Sequence, residues 1–335
     1  MALIDIIIPL YNKTDTVERT IHSIQSQTLS DWSIIVVDDG STDDGPDKVK
    51  RIQDDRITVI CQENAGPGAA RNRGIREATA DYIAFLDADD QWYPWYLENA
   101  MKAFQGEDIA MVGSMYYEWP KQIDMTQYWA RQNVIPGMYR VDAQDDPEQI
   151  ESWILFFHVG TTVVKRNKAL QYDGFYDKDG CRYGEDTIFF ARLALNEAFR
   201  IIGPAAVRHN RQDSGLSHQM SRPLSPILQK PEIILDYCPD NKIQPARLFL
   251  ARLALRTAHG KARNGYKQDA VFLVQRFPEM NIFSRPYRKL LFEIKFSKPL
   301  SYWVRFKVAI GPPTRIFLKK LGYGLGIMKR PPDAS

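Results

Sequence analysis

The sequence predicts an α/β protein: a central, mostly parallel sheet flanked by helices, followed by a mainly helical carboxyl-terminal region. Three observations lead to this class. Strand-like apolar runs alternate with helical patterns through the first hundred residues, as β-α-β units require. Two of those runs stop at dense acidic clusters, at the strand ends where parallel sheets meet their ligands. Beyond Ser217, apolar residues recur at helical spacing.

Taken in order, Leu3–Ile8 is a nearly continuous apolar run ending at Pro9, the pattern of a strand buried on both faces. Asp15 and Glu18 make a capping-box-like helix start, and Val17, Ile21 and Ile24 then keep helical spacing. Ser33–Val37 is the next buried strand, closed by Asp38-Asp39-Gly40-Ser41, and Ile57–Cys61 is a short third strand. The Gly66-Pro67-Gly68 loop opens a helix pattern that runs to about Ala78, with proline near the first turn. Tyr82–Leu86 is a fourth strand, ending at Asp87-Ala88-Asp89-Asp90. From about Gly113 to Val164 the pattern loosens and aromatics accumulate, Trp119, Trp129 and Trp153 among them. Order returns at Gly174-Phe175 and at Gly184-Glu185-Asp186, which leads into a helix over Thr187–Asn196. Arg200–Val207 reads as a last strand. Leu248, Leu255 and Ala258 suit one amphipathic helix, and Val271, Val274 and Phe277 another. A domain boundary is expected near residue 220, giving 1–220 and 221–335, and no internal repeat is evident.

Composition narrows the function. With 335 residues, 44% hydrophobic and 12% aromatic, the chain can bury a sizeable core, which excludes disorder over most of its length. No uninterrupted apolar run has the roughly 18–20 residues of a spanning helix. The start, Met1-Ala2-Leu3-Ile4-Asp5, lacks the basic and apolar parts of a secretory leader, so a cytoplasmic location is expected. Cys61, Cys181 and Cys238 are scattered and odd in number, which argues against a disulfide framework or a structural zinc site. The net charge of +3 hides an asymmetry: residues 284–335 carry twelve Lys/Arg against Glu293 and Asp333, a net of +10, leaving −7 on the rest. An acidic body with a basic tail does not suit a nucleic-acid binder.

The acidic clusters carry the chemistry. If the topology is as expected, Asp38, Asp39, Asp87, Asp89 and Asp90 crowd one sheet edge, where uncompensated carboxylates repel one another. A hard divalent cation such as Mg²⁺ or Mn²⁺ resolves that repulsion, and keeps positions open for phosphate oxygens when few carboxylates hold it. A nucleotide or diphosphate ligand is therefore expected. Each element also has a plainer reading. Asp39 and Ser41 suit a turn or helix cap, Gly66 a helix start, and Glu185-Asp186 an acidic first turn favourable with the helix dipole.

Taken together, the motifs carry a resemblance. Ile6-Ile7-Ile8-Pro9-Leu10-Tyr11-Asn12, Val37-Asp38-Asp39-Gly40-Ser41-Thr42-Asp43, and Asn64-Ala65-Gly66 leading to Ala70-Arg71-Asn72-Arg73-Gly74 resemble successive signatures of glycosyltransferase family 2. Phe85-Leu86-Asp87-Ala88-Asp89-Asp90 resembles that family's metal-binding DxD, and Gly174-Phe175-Tyr176-Asp177 with Gly184-Glu185-Asp186 its catalytic-base segment. The matches keep family order over residues 3–210, and the remaining third has none. The resemblance implies a GT-A fold and inverting transfer of a sugar from a nucleotide-diphosphate donor, commonly a UDP-sugar, to a hydroxyl of a glycan or lipid-linked glycan. It implies a nucleotide site formed by Pro9, Tyr11, Asn12, Asp38, Asp39, Asn64, Gly66, Arg71, Asp87 and Ala88. Asp89 would bind Mn²⁺ or Mg²⁺, His209 would support the metal or diphosphate together with Ser214 and Ser217, and Asp186 would be the general base with Glu185 beside it. Because a metal can stabilise a departing diphosphate without a protonating acid, a single carboxylate base suffices.

Two other classes compete. A nucleotidyltransferase is expected to carry a Gly-rich basic loop after its first strand, whereas Asn12-Lys13-Thr14 offers one lysine and no glycine. A silent nucleotide-sugar sensor would be favoured by loss of Asp89 or Asp186, and both are present. Trp119 and Trp129 are acceptor-side candidates, since aromatic faces stack on sugars as well as filling cores. Over residues 284–330, cations interleave with bulky apolar groups, as in Arg288-Lys289-Leu290-Leu291-Phe292, Tyr302-Trp303-Val304-Arg305-Phe306-Lys307 and Arg315-Ile316-Phe317-Leu318-Lys319-Lys320. That composition suits peripheral attachment to an anionic inner membrane face, and equally a basic helix packed on the catalytic domain.

Overall fold

The computed structural model describes residues 2–211 and 222–295. Ten strands form one sheet: β1 (Ile4–Leu10), β2 (Trp32–Asp38), β3 (Ile57–Cys61), β4 (Tyr82–Phe85), β5 (Gln91–Trp92), β6 (Met111–Trp119), β7 (Ile123–Asp124), β8 (Gly137–Tyr139), β9 (Thr162–Lys165) and β10 (Phe199–Asn210). The helices between them are α1 (Val17–Gln25), α2 (Gly45–Arg51), α3 (Pro67–Glu77), α4 (Tyr96–Phe104), α5 (Thr126–Ala130), α6 (Pro147–Phe156), α7 (Arg166–Gln171) and α8 (Glu185–Asn196). After β10 come α9 (Pro226–Gln229), α10 (Glu232–Leu235), α11 (Asp240–Arg263) and α12 (Lys267–Arg276), so the carboxyl-terminal region is helical as expected.

The sheet order is β3-β2-β1-β4-β9-β6-β10-β5, with β7 on β6 and β8 on β10. The expected parallel set, β3-β2-β1-β4, forms the amino-terminal half. The other half is mixed, because β9 runs antiparallel to both β4 and β6 while β6 and β10 run parallel to each other. Since β9 reverses direction twice over, β6 and β10 point the same way as β1, β2 and β4. Their carboxyl ends therefore share one edge, the edge where such sheets bind ligands.

That edge is opened by a local feature of β1. The strand continues through Pro9 to Leu10 rather than stopping at the proline. Ile7 O accepts from Leu86 N on the β4 side, and Leu10 O accepts from Asp39 N on the β2 side. Pro9, two residues past Ile7, faces the side where pairing with β4 has already ended at Phe85, so its missing N–H costs no ladder bond.

The loosely patterned stretch beyond Gly113 sends several of its rings into the core. Tyr116, Trp129, Trp153, Phe156 and Phe157 are buried, and the Trp129 ring meets Phe156 edge-on at 5.4 Å between centroids. Trp129 is thus a core residue, which corrects its reading as an acceptor-side group. Alternation fails as a signal here because β6 is buried on both faces over most of its length.

The chain divides into two compact units, Met1–Leu253 and the part from Ala254 onward. The division falls within α11, not near residue 220. Residues 223–237 belong to the first unit because α8 holds them: Arg192 Nε donates to Ile233 O at 3.0 Å, its guanidinium lies 4.0 Å from the Tyr237 ring centroid, and Tyr183 OH donates to Pro223 O at 2.7 Å. In the second unit His259 and Arg263 both meet Glu293, at 2.6 and 2.9 Å, tying a helix over 284–295 to α11. Ser214, Ser217 and the tail from residue 296 lie outside the described residues.

The close fit of α3 on β1 fixes the depth of the site. A Cβ on Gly74 would stand 2.4 Å from Ile7 Cγ2, so only glycine lets the helix approach this far. Gly74→Ala should lower stability by about 1–3 kcal/mol through overpacking, more than the up to about 1 kcal/mol that alanine gains in a helix. A urea midpoint equal to or above that of the parent would show that α3 can lift without cost.

Candidate active site

Three loops at the carboxyl edge build the site. After β1, Asn12 adopts a left-handed backbone (φ 50°), its N–H donates to Ser41 Oγ, and its Oδ1 accepts from Thr42 N at 2.8 Å. Thr14 N donates to Asp43 Oδ2 at 2.9 Å. The loops after β1 and β2 are thereby fastened together. Tyr11 stands out from them, 47% exposed. Asp38, buried at the end of β2, accepts Ser41 N through Oδ1 at 2.9 Å.

Asp39 does different work from its neighbour. Its carboxylate accepts Gln62 Nε2 and Ala65 N at 2.8 Å and Gly66 N at 2.9 Å, while its carbonyl accepts Asn64 Nδ2. With those donors the side chain braces the 62–66 loop that starts α3. Asn64 and Gly66 join the site as partners of this brace.

At the end of β4 the two carboxylates of Asp87-Ala88-Asp89 are held by different cations. Arg71, reaching up from α3, donates to Asp87 Oδ1 at 2.7 Å and to Glu185 Oε1 at 2.8 Å. Burial works against its charge, but Asp87, Glu185 and Asp186 outweigh that and hold its pKa above the ordinary range. Lys13 Nζ lies 2.6 Å from Asp89 Oδ2. Burial first, and the Asp87 charge second, raise the Asp89 pKa above the usual carboxylate value in spite of that lysine. Ala88 contributes its carbonyl, which accepts Thr16 Oγ1 at 2.7 Å.

The segment from Gly174 to Asp186 is held through Asn72, one residue past Arg71 on α3. Its amide donates to Phe175 O at 2.7 Å and Asp177 Oδ2 at 2.9 Å, and accepts Phe175 N at 2.8 Å. Gly184 then turns the chain with φ 77°, a left-handed conformation that glycine adopts without strain, and α8 begins at Glu185. Glu185 is buried against Arg71, and burial together with the Asp186 charge raises its pKa. Asp186 is half-buried, and its Oδ1 accepts its neighbour's Thr187 N at 2.7 Å. Oδ2 has no hydrogen-bond partner among the described residues.

Pro9, Tyr11, Asn12, Asp38, Arg71, Asp87, Asp89, Glu185 and Asp186 all fall at this edge. His209 is engaged at the end of β10. Its Nδ1 lies 3.1 Å from Asp90 Oδ2, whose Oδ1 accepts Asn210 N at 2.7 Å, so it seats the end of β10 against the β4 loop. Among the described residues no three His, Cys, Asp or Glu gather as a ready metal cage, so His209 does not complete one with Asp87 and Asp89. Lys13 and Asn72 are the residues that sequence reasoning passed over. Both sit inside the quoted signatures or next to them, and only their partners reveal what they do.

Parallel strands with acidic loops at one edge, a DxD turn and a carboxylate-bearing helix start define a GT-A glycosyltransferase fold. S. aureus TarS residues 1–349, solved with UDP-GlcNAc, superposes with a TM-score of 0.67 over 92% of this chain and 92% of that one, at 16% identity. Mannosyltransferase PcManGT from Pyrobaculum calidifontis, solved with GDP-Man and Mn²⁺, gives 0.50 over 90% and 86% at 20% identity. The family model for glycosyl transferase family 2 matches residues 5–171, and the chain belongs to that family. Among curated relatives, the UDP-Glc:α-D-GlcNAc-diphosphoundecaprenol β-1,3-glucosyltransferase WfaP of Escherichia coli is 41% identical over 120 residues, 35% of this chain and 47% of that protein. The chain spans less than half the length of the curated relatives it matches.

The Asp90–His209 contact has a pH signature. Burial lowers the histidine pKa, but the bond and charge of Asp90 outweigh it and leave the folded value above the ordinary 6.5. A raised histidine pKa stabilises the fold fully below about pH 6.5 and less as pH rises through the folded value. The stability difference between the parent and His209→Gln should therefore shrink from pH 6 to pH 9 in urea titrations. A constant difference would show that the contact is not ionic.

Proposed function

We propose that the protein is an inverting glycosyltransferase that moves a sugar from a UDP-sugar to a hydroxyl of a glycan or lipid-linked glycan. The observation that carries this reading is the Asp87–Arg71–Glu185 bridge, which joins the DxD turn to the helix start bearing Asp186. A donor-diphosphate site and a half-buried carboxylate, with one oxygen unengaged among the described residues, are thus held at one edge.

Pro9 and Tyr11 bound the pocket for the base, and Asp38 accepts a hydrogen bond from it. Asp87 and Asp89 suit a divalent cation by their chemistry. They are two hard oxygen donors two residues apart at the end of one strand. Mn²⁺ or Mg²⁺ held there would stabilise the negative charge of the departing diphosphate. Asp186 takes the proton from the acceptor hydroxyl as that oxygen bonds to the anomeric carbon. The bond from that carbon to the diphosphate oxygen breaks on the opposite face, inverting the configuration. Arg71 keeps Asp87 and Glu185 in register during these events.

Acceptor residues have a surface beyond β10. Tyr93 stacks on Trp95 at 5.0 Å, Arg208 lies 4.7 Å over Tyr93 and 5.5 Å over Trp119, and Tyr117 meets Tyr93 edge-on. Trp119 ends β6 at the catalytic edge, and sugar rings stack on such faces.

A peripheral membrane position at the inner face fits the second unit. Ile282, Leu291 and Phe292 are exposed beside Arg285, Arg288 and Lys289. No helix among the described residues is long and apolar enough to cross a membrane.

Two experiments follow. Asp186→Asn should keep UDP affinity within about twofold while turnover falls by 10²–10⁴, the share a positioned base supplies; retained turnover places the base elsewhere. Replacing Ile282 and Leu291 together by Glu should reduce flotation with phosphatidylglycerol vesicles severalfold, and equal flotation rejects this helix as the lipid contact.

A further inference from the structure

Among the described residues, Lys13 is a cation at the site whose placement allows it to move. Its ammonium lies on Asp89 Oδ2 at 2.6 Å with the lysine side chain 28% exposed, against 5% for the Arg71 side chain. Arg71 is fixed by two carboxylates at once and could not leave Glu185 without stranding a buried charge. The backbone on both sides of Lys13 is pinned by the Asn12 and Thr14 bonds to the loop after β2. Its four-carbon stem can swing while its Cα stays in place.

A divalent cation entering alone must compete with this ammonium for the same oxygen. One arriving with a diphosphate offers the displaced ammonium a new anion at the same edge. Lysine serves as a point charge for phosphate, with no fixed fork geometry to satisfy.

We propose that Lys13 is a tethered counter-cation that occupies Asp89 until a nucleotide diphosphate and its metal arrive together, and then transfers to a phosphate oxygen. Metal and nucleotide would then each raise the other's affinity, as linkage requires. The inference rests on the metal-assisted reading above, and adds to it a reason for the two ligands to bind as a pair.

The test titrates Mn²⁺ alone, UDP alone, and each in the presence of the other, into the full chain and its Lys13→Met and Lys13→Arg variants, read by calorimetry. Lys13→Met should bind Mn²⁺ alone roughly fivefold tighter or more, the worth of a partly exposed ion pair. It should also bind UDP with Mn²⁺ more weakly, so that the coupling between the two ligands shrinks. Lys13→Arg should stay close to the parent. A purely structural lysine would lower both affinities together along with the melting midpoint, and that result overturns the inference. So does an unchanged Mn²⁺ affinity in Lys13→Met when the parent binds Mn²⁺ with UDP. If the parent fails to bind Mn²⁺ even with UDP, the metal-assisted reading itself fails.

Discussion

The site depends on a single buried guanidinium. Arg71 contacts Asp87 and Glu185, which lie 98 residues apart in the sequence and on different elements, the end of β4 and the first residue of α8. With its side chain 5% exposed, it is screened little by solvent, so removing it would leave buried Glu185 without its cation and cost about 3–5 kcal/mol. Such a bridge does more to fix geometry than to add net stability. It holds the DxD turn and the Asp186 segment in one arrangement before any ligand binds, which is the preorganisation catalysis needs.

The acidic residues separate into two groups by what they touch. Asp5, Asp39 and Asp90 are buried and accept backbone N–H groups: Asp5 from Thr79 and Ala80, Asp39 from Ala65 and Gly66, Asp90 from Asn210. They fasten loops to the sheet. Asp87, Asp89 and Glu185 pair instead with side-chain cations, and Asp186 keeps an oxygen without a partner among the described residues. Adjacent residues can belong to different groups, as Asp89 and Asp90 do.

The antiparallel strand β9 makes the rest of the edge available. Inserted between β4 and β6, it lets a mixed half-sheet continue a parallel one without reversing the direction of β6 and β10. The Asp90–His209 contact thus joins the end of β10 to the loop after β4, and Trp119 and Arg208 pair at the same end of β6 and β10.

The sequence by itself determined the elements and the candidate carboxylates. The apolar runs of β1 to β4, the helix start at Pro67 and the acidic clusters at the strand ends are local features, written in hydrophobic spacing and in residues that only turns or ligands accommodate. It also spaced Tyr96, Leu97, Ala100 and Phe104 for α4. The strand β6 gave no alternation to read, being buried on both faces. Only the tertiary structure decided which carboxylate meets which cation, that Trp129 is core, that Asp39 is a brace, and that His209 belongs to Asp90. Those assignments rest on contacts across tens of residues of chain, set by how strands pair and how closely α3 lies on β1. No local pattern encodes the distance between two side chains that the fold alone brings together.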